Sequence, residues 1–296
     1  MKTILITGIC GFIGSHIADL ALAQGYKVVG VDDLSTGNLK NIEHIKDKIK
    51  LVIVGVENTE AHSIKGEKLK NAFIGVDYVI HQAARLSVLD SAKQLKLYHD
   101  VNTTGTFNVH RLAKKNGIKR VVLASSCAIQ GESFYGLTKL INEKYAEYFA
   151  SVGLETVALR YQNVYGPRQS NGVVPKFIKK FLADEQPIIY GDGLQNRDFI
   201  YVKDVAKANL LALTTPNISG KYFDIAVGEL FTVDHLFTCL KVFMLSSQTP
   251  EYVPRPEGEL IEVTPFTCQP ELPWKQETSF FEGLKETIEY YKKLQR

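Results

Sequence analysis

The chain has 296 residues, 45% hydrophobic and 23% charged, with 22 Gly and 10 Pro, a globular composition that excludes disordered, collagen-like and disulfide-scaffold classes. Its net charge of +3 is spread over short groups such as Lys114, Lys115, Lys119 and Arg120, which read as solvated faces and argue against a nucleic-acid partner. Cys10, Cys127, Cys239 and Cys268 lack Cys-x-x-Cys spacing, and no apolar run is long enough to span a membrane, so a soluble cytoplasmic protein with reduced thiols, no metal site and no membrane partner is expected.

In chain order, short β-branched runs alternate with amphipathic segments. Thr3–Thr7, Lys27–Val31, Leu51–Val54, Tyr78–His81, Arg120–Ser125 and Thr156–Arg160 read as strands. Helices are predicted at Phe12–Gln24, Ser91–Lys115 and Tyr135–Ser151, each followed by a glycine stop at Gly25, Gly117 or Gly153. This alternation predicts an α/β fold: a doubly wound parallel (Rossmann) sheet with a smaller mixed α/β substrate domain. Every proline lies in the second half, from Pro167 to Pro273, which reads as a looser, loop-rich region closed by a helix at Ser279–Lys293. The expected division is residues 1–162 and 163–296, with the two domains interleaved.

The first strand runs into Gly8-Ile9-Cys10-Gly11-Phe12-Ile13-Gly14. Glycines at this spacing allow a tight turn, close approach of a pyrophosphate to backbone N–H groups, and tight packing of helix on strand. The second strand leads to Asp32, 18 residues after Gly14, where a carboxylate can accept both hydroxyls of an adenosine ribose and would repel a 2′-phosphate. The pattern predicts a dinucleotide site for NAD rather than NADP.

Tyr135-Gly136-Leu137-Thr138-Lys139 then sets a phenol and an ammonium one helical turn apart, just after a strand ending in Ser125-Ser126. At that sheet edge ligands of such folds bind. An adjacent Lys⁺ and a positive nicotinamide ring are expected to draw the phenol toward neutrality, which makes Tyr135 a candidate general base for an alcohol. His81 reads as a packed strand-end histidine, and Cys10 and Cys127 as small apolar spacers.

At this point the sequence resembles the extended short-chain dehydrogenase/reductases, and within them the NAD-dependent sugar-nucleotide epimerases of the UDP-glucose 4-epimerase type. The resemblance covers nearly the whole chain: the glycine turn, Val31-Asp32-Asp33-Leu34-Ser35-Thr36-Gly37, His81-Gln82-Ala83-Ala84, Asn102, Ser125-Ser126, Tyr135/Lys139, Asn163-Val164-Tyr165-Gly166-Pro167-Arg168, Gly191-Asp192-Gly193 and Arg197-Asp198-Phe199-Ile200. It implies a tightly held NAD contacted by Gly8, Gly11, Phe12, Ile13, Gly14, Asp32, Asp33, Ala83, Ala84, Asn102, Tyr135 and Lys139. It implies a catalytic trio of Ser126, Tyr135 and Lys139. A UDP-sugar substrate would meet Ser87, Ser126, Asn163, Val174, Arg197, Arg255 and Val263, with Asn163, Arg197 and Arg255 on the diphosphate.

The implied reaction is isomerisation. Tyr135 takes the proton of the sugar 4-hydroxyl, a 4-keto intermediate forms, turns over, and is reduced on its other face. Plain and N-acetylated UDP-hexoses are both expected as substrates, with Val263 facing the C2 substituent. UDP-glucuronate 4-epimerisation, another nucleotide-sugar reaction, or a NAD-binding regulatory protein with a decayed site are the alternatives. Cys127-Ala128 after Ser126 carries no carboxylate, against the acid pair of 4,6-dehydratases and the glutamate of decarboxylases.

Three departures from the usual pattern stand out. The segment between Ser126 and Tyr135 is about 15 residues shorter than usual, although the nine steps from one to the other still span up to about 30 Å. Gly55-Val56-Glu57 replaces Gly-Asp-(Ile/Leu), and Glu259 replaces the Asp after Arg-x-Gly. The family also implies a homodimer through a four-helix bundle of the segments 91–115 and 135–151, to which Leu95, Leu97, Phe107, Leu140, Tyr145, Tyr148 and Phe149 would contribute.

Overall fold

The computed structural model describes residues 1–59, 63–130, 133–255 and 270–295. The first half alternates strands and helices: β1 (Thr3–Thr7), α1 (Phe12–Ala23), β2 (Lys27–Asp32), β3 (Ile49–Ile53), α2 (Ile64–Ala72), β4 (Tyr78–His81), α3 (Val88–Lys93), α4 (Leu95–Tyr98), α5 (Gly105–Lys115), β5 (Arg120–Ser126), α6 (Phe134–Ser151) and β6 (Glu155–Tyr161). Local chemistry sets the starts of several helices. Ser63, Ser87 and Ser133 each accept a backbone N–H of the first turn of α2, α3 and α6, satisfying a donor the helix itself leaves orphaned.

The second half continues with β7 (Asn163–Tyr165), α7 (Val173–Leu182), β8 (Ile188–Tyr190), β9 (Asn196–Tyr201), α8 (Val202–Thr214), β10 (Lys221–Ile225), β11 (Leu230–Thr232), α9 (Val233–Met244), β12 (Glu251–Val253) and α10 (Phe280–Leu294). It is therefore rich in regular elements, against the loop-rich expectation. The prolines punctuate them: Pro175 sits in the first turn of α7, where its missing N–H has no helical partner to lose, and Pro187, Pro216, Pro250 and Pro254 flank β8, α8 and β12.

The chain falls into two compact units. One holds Met1–Tyr161, Ala206–Asp224 and Gln269–Trp274; the other holds Gln162–Val205, Ile225–Cys268 and Lys275–Arg296. The first unit is built on a seven-stranded sheet in the order β10-β6-β5-β4-β1-β2-β3, and the ladders joining β1 to β6 are parallel. Its order reverses beside β1, whose neighbours are β2 and β4, the switch point at which open α/β sheets bind ligands. One face buries Leu5, Val79 and Val121 of the sheet against Leu69, Val109, Leu112 and Phe149 of α2, α5 and α6.

In the second unit the three-stranded sheet β11-β9-β7 is joined to α10 by an aromatic stack. Phe280 lies 4.4 Å from Phe231 and 5.6 Å from Phe199 between ring centroids. Gly283 admits the Tyr165 hydroxyl, which a Cβ at that position would meet at 2.2 Å. Among the described residues no helix is long and apolar enough to cross a membrane.

The long helix expected over Ser91–Lys115 is broken. Gln94 leaves helical geometry (φ −127°, ψ 46°) between α3 and α4, and His99–Thr104 forms a π-helical turn leading into α5. Such a turn redirects side chains and is frequent near functional sites. It carries Asn102, whose amide holds the backbone of Arg85 and the hydroxyl of Thr138.

Two glycines of the β1–α1 turn make different demands. A Cβ on Gly14 would lie 2.1 Å from the Gly8 carbonyl oxygen, whereas one on Gly11 would meet only that same oxygen, at 3.1 Å. Gly14→Ala is expected to cost about 1–3 kcal/mol of stability by overpacking, and Gly11→Ala clearly less. Coincident denaturant midpoints for the two variants would contradict this packing.

Candidate active site

The carboxyl ends of β1, β2, β4 and β5 open into a cavity of about 140 Å³, lined by Gly8, Gly11, Phe12, Ile13, Gly14, Asp32, Asp33, Ala83, Ala84, Tyr135 and Lys139. The close packing at Gly14 brings the N-terminus of α1 to this edge. Gly11 is the N-cap and offers no side chain to the first-turn N–H groups, which leaves them open to an anion in the field of the helix dipole. Gly8 is itself at φ +69°, and a Cβ there would meet the Ala83 nitrogen at 2.8 Å. The turn after β1 and the loop after β4 therefore close on each other without side chains between them.

Asp32 ends β2 and is buried. One carboxylate oxygen accepts the Cys10 N–H at 2.9 Å and the other the Leu34 N–H at 2.8 Å. Burial pushes its pKa up, and those two N–H groups oppose the shift. Each oxygen keeps a lone pair for a further donor, which suits a ribose diol. Gly37 folds over it so closely that a Cβ would lie 2.7 Å from Asp32 Oδ1. The Asp33 carboxylate instead ties the following turn, accepting from the Ser35 N–H at 2.9 Å. The bare helix end and the doubly anchored carboxylate fit a dinucleotide.

The opposite wall is α6. Tyr135 and Lys139 share one helix face, both buried, and the ammonium stands 5.8 Å from the phenol ring centroid. Lys139 Nζ donates to the Ala124 carbonyl at 2.9 Å. The Ser126 side chain, at the end of β5, hydrogen-bonds Tyr135 and accepts the Ala128 N–H at 3.2 Å. Burial lowers the Lys139 pKa to about 8. The expectation that Tyr135 is drawn toward neutrality by Lys139 is not met in the protein alone. Burial pushes the phenol well above its ordinary value, and the Ser126 hydrogen bond opposes this only in part.

Other candidates fall outside the cavity lining. Asn102 is fully buried with its amide committed to the Arg85 loop and to Thr138, so its setting is that of a clamp. Ser87 caps α3, accepting the Asp90 N–H at 3.0 Å. His81 is buried between Thr7 and Thr106, at 2.6 and 2.9 Å from its two ring nitrogens, and burial holds it neutral. Burial pushes the Cys10 thiol up to about 12, which makes it inert at neutral pH.

In the second unit, Asn163 of β7 pairs with Phe199 of β9. Arg197, two residues before Phe199, therefore shares a sheet face with Asn163. Asp198 points the other way, is buried, and accepts the N–H groups of Val227 and Gly228 at 3.0 and 2.7 Å, a loop anchor. Val174 is buried in α7. Arg255 packs over Gly191 and pairs with Asp192 at 3.2 Å, while its Nε is buried without an acceptor among the described residues. Val263 and Glu259 lie outside the described residues.

Sequence reasoning treated Glu57 only as a departure, yet its side chain lines the cavity, held by Asn58 Nδ2 at 2.6 Å. It also passed over Glu143 and Arg160, which form a bidentate ion pair just behind Lys139. The signal for Glu143 was present: it follows Tyr135 and Lys139 at the same four-residue interval.

Residues 4–228 match the family described as NAD dependent epimerase/dehydratase. A protein of Methanocaldococcus jannaschii, provisionally named UDP-glucose 4-epimerase, is 37% identical over 98% of both chains. The structure of UDP-glucose 4-epimerase from Thermotoga maritima with UDP-glucose superposes with a TM-score of 0.92 at 33% identity over the whole of both chains. That of the Thermus thermophilus UDP-glucose 4-epimerase with NAD gives 0.86 at 29% identity, over 98% of this chain and 99% of that one. The chain belongs to the NAD-dependent epimerase/dehydratase family.

Proposed function

We propose that this family member is an NAD-dependent epimerase of nucleotide sugars that inverts C4 of a UDP-hexose. The observation that carries the reading is the meeting of Tyr135 and Lys139, with Ser126 hydrogen-bonded to Tyr135, at the wall of a cavity whose other side is the bare glycine turn and Asp32. Bound NAD supplies a hydride acceptor, later the donor, and a positive ring that favours phenolate. Asp32 takes the adenosine ribose, and the N-terminus of α1 takes the pyrophosphate. Tyr135 accepts the proton of the sugar 4-hydroxyl and returns it to the opposite configuration, Ser126 hydrogen-bonds the same oxygen, and Lys139 opposes the developing negative charge.

Cys127 and Ala128, next to Ser126, supply no carboxylate for a second proton transfer, so the chemistry stops at C4. Asn163, Arg197 and Arg255 are the diphosphate ligands in this reading. Arg255 supports it with a buried Nε that has no acceptor among the described residues; an anchored diphosphate retains the 4-keto sugar while its ring turns over. Cys10 and Cys239 are thiols rather than disulfide halves, in keeping with a reducing, cytoplasmic setting.

The same reading extends to a homodimer in which α5 and α6 pair with their copies. Phe107, Leu140 and Tyr148 are exposed by 40, 39 and 63%, and Leu95 of α4 by 51%, apolar side chains that such a pairing would cover. Phe149 does not contribute: it is buried in the core against His110. Sedimentation at micromolar concentration is expected to show a dimer, and a monomer alone would reject the arrangement.

Incubation with UDP-glucose, UDP-galactose, their N-acetyl forms and UDP-glucuronate, with products resolved, tests the activity. Interconversion of a UDP-hexose pair is expected, and turnover of none of them would overturn the reading. Asp32→Ala is expected to weaken NAD binding by about 1.5–3 kcal/mol through loss of a charged acceptor, as calorimetry would measure. Tyr135→Phe is expected to reduce kcat by about 10²–10⁴-fold with UDP-sugar binding retained; more than about a tenth of wild-type turnover would exclude a general base there.

A further inference from the structure

A buried charge network lies behind the catalytic face and has no part in the chemistry above. Glu143 continues the spacing of Tyr135 and Lys139 along α6, so the three side chains share one face, and Glu143 is as buried as its neighbours. A buried carboxylate persists only when paired and hydrogen-bonded. Arg160 of β6 provides both, its Nε and Nη2 donating to Oε1 and Oε2 at 2.8 and 2.7 Å. Ser125 of β5 donates its hydroxyl to Oε1 at 2.5 Å. Ser125 and Arg160 are partners in the β5–β6 ladder, so one carboxylate bridges α6 to two adjacent strands, one residue before Ser126 and one turn beyond Lys139.

The guanidinium is held in its turn. Its carbon lies 3.4 Å from the Tyr222 ring centroid on β10, and Asp224 of the same strand also acts on it. The only hydrogen-bond acceptor that the Lys139 ammonium reaches among the described residues is the uncharged Ala124 carbonyl. Tyr135 and Glu143 on α6 and His81 on β4 face the ammonium, and Arg160 on β6 and Asp224 on β10 act on Glu143 behind them. His81 is neutral, and burial raises Asp224 to about 6.

We propose that Glu143 is a positioning residue for the Tyr135–Lys139 pair: its carboxylate fixes the seat of α6 on β5 and β6 and supplies the anion that keeps Lys139 an ammonium ion. This deepens the epimerase reading and rests on it, since that reading gives Lys139 its use. The direction of the effect follows from charge. Burial already lowers Lys139 to about 8, and Glu143 works against that. Removing the anion therefore lets Lys139 lose its proton at lower pH.

The test is a pH titration of whole protein carrying [¹³Cε]lysine, with the Lys139 resonance assigned by its loss in Lys139→Met. In Glu143→Gln, which keeps the shape and an acceptor oxygen, the Lys139 midpoint is expected to fall by about one pH unit, and the alkaline limb of kcat to move with it. Glu143→Asp keeps the charge and is expected to titrate near wild type. Coincidence of Glu143→Gln with wild type, or an equal fall in Glu143→Asp, overturns the proposal. If Glu143→Gln does not fold, Arg160→Gln decides: without the compensating guanidinium the midpoint rises, and an unchanged or lower midpoint overturns it. The titration needs no substrate, so its outcome stands apart from the assay on UDP-sugars, which alone decides the epimerase reading.

Discussion

A single steric constraint organises the ligand edge of the sheet: α1 lies so close to the turn after β1 that no Cβ fits at residue 14. With 2.1 Å between that missing Cβ and the Gly8 carbonyl oxygen, any side chain would push the helix off the strand. The rest of the edge is registered on this contact. The helix N-terminus opens onto the cavity, Gly8 meets the Ala83 backbone from the next strand, and the Cys10 N–H reaches Asp32 on the other neighbour. Close backbone packing of these three segments shapes the cradle.

The second half of the site depends on α6 in a different way. Its face toward the sheet carries a phenol, an ammonium and a carboxylate at successive turns, and each is seated on β5 or its neighbour: Tyr135 on Ser126, Lys139 on the Ala124 carbonyl, Glu143 on Ser125 and Arg160. Three consecutive residues of one strand thus meet three consecutive turns of one helix. A shift of the helix along its axis would break all three together, which is a strong restraint for groups that must be held to a fraction of an ångström.

Much of this was legible in the chain. β1 and β4 fall on their predicted bounds because they are short apolar runs ending in a turn signal, and the Gly8–Gly14 turn and the Asp32 that follows β2 are local patterns. The element most misread, the segment 91–115, shows why periodicity has limits: Gln94 is an ordinary helix former, and its departure from helical geometry is a local choice of the fold that composition does not reveal. The helix α2 was missed because Ile64–Ala72 is mostly lysine, glutamate and small residues, leaving almost no apolar stripe to see. The helices α7 and α8 were obscured by the prolines at Pro175 and Pro216, inside the first turn of one and just past the end of the other. Arg160 was invisible for a topological reason, because its partnership with Glu143 exists only once β6 has paired with β5.

The disagreement over Tyr135 carries the sharper lesson. From sequence, a lysine one turn away and a nicotinamide ring are together expected to acidify the phenol; in the protein alone, burial drives the phenol up and the Ser126 hydrogen bond opposes this only in part. The two results are reconciled by what the ammonium faces. Lys139 spends its hydrogen bond on a backbone carbonyl and sits 5.8 Å from the ring centroid, so in the protein alone it stabilises its own seat more than a phenolate. A buried phenol beside a buried ammonium stays protonated in the protein alone; a positive charge brought against the ring would work against burial and favour the phenolate.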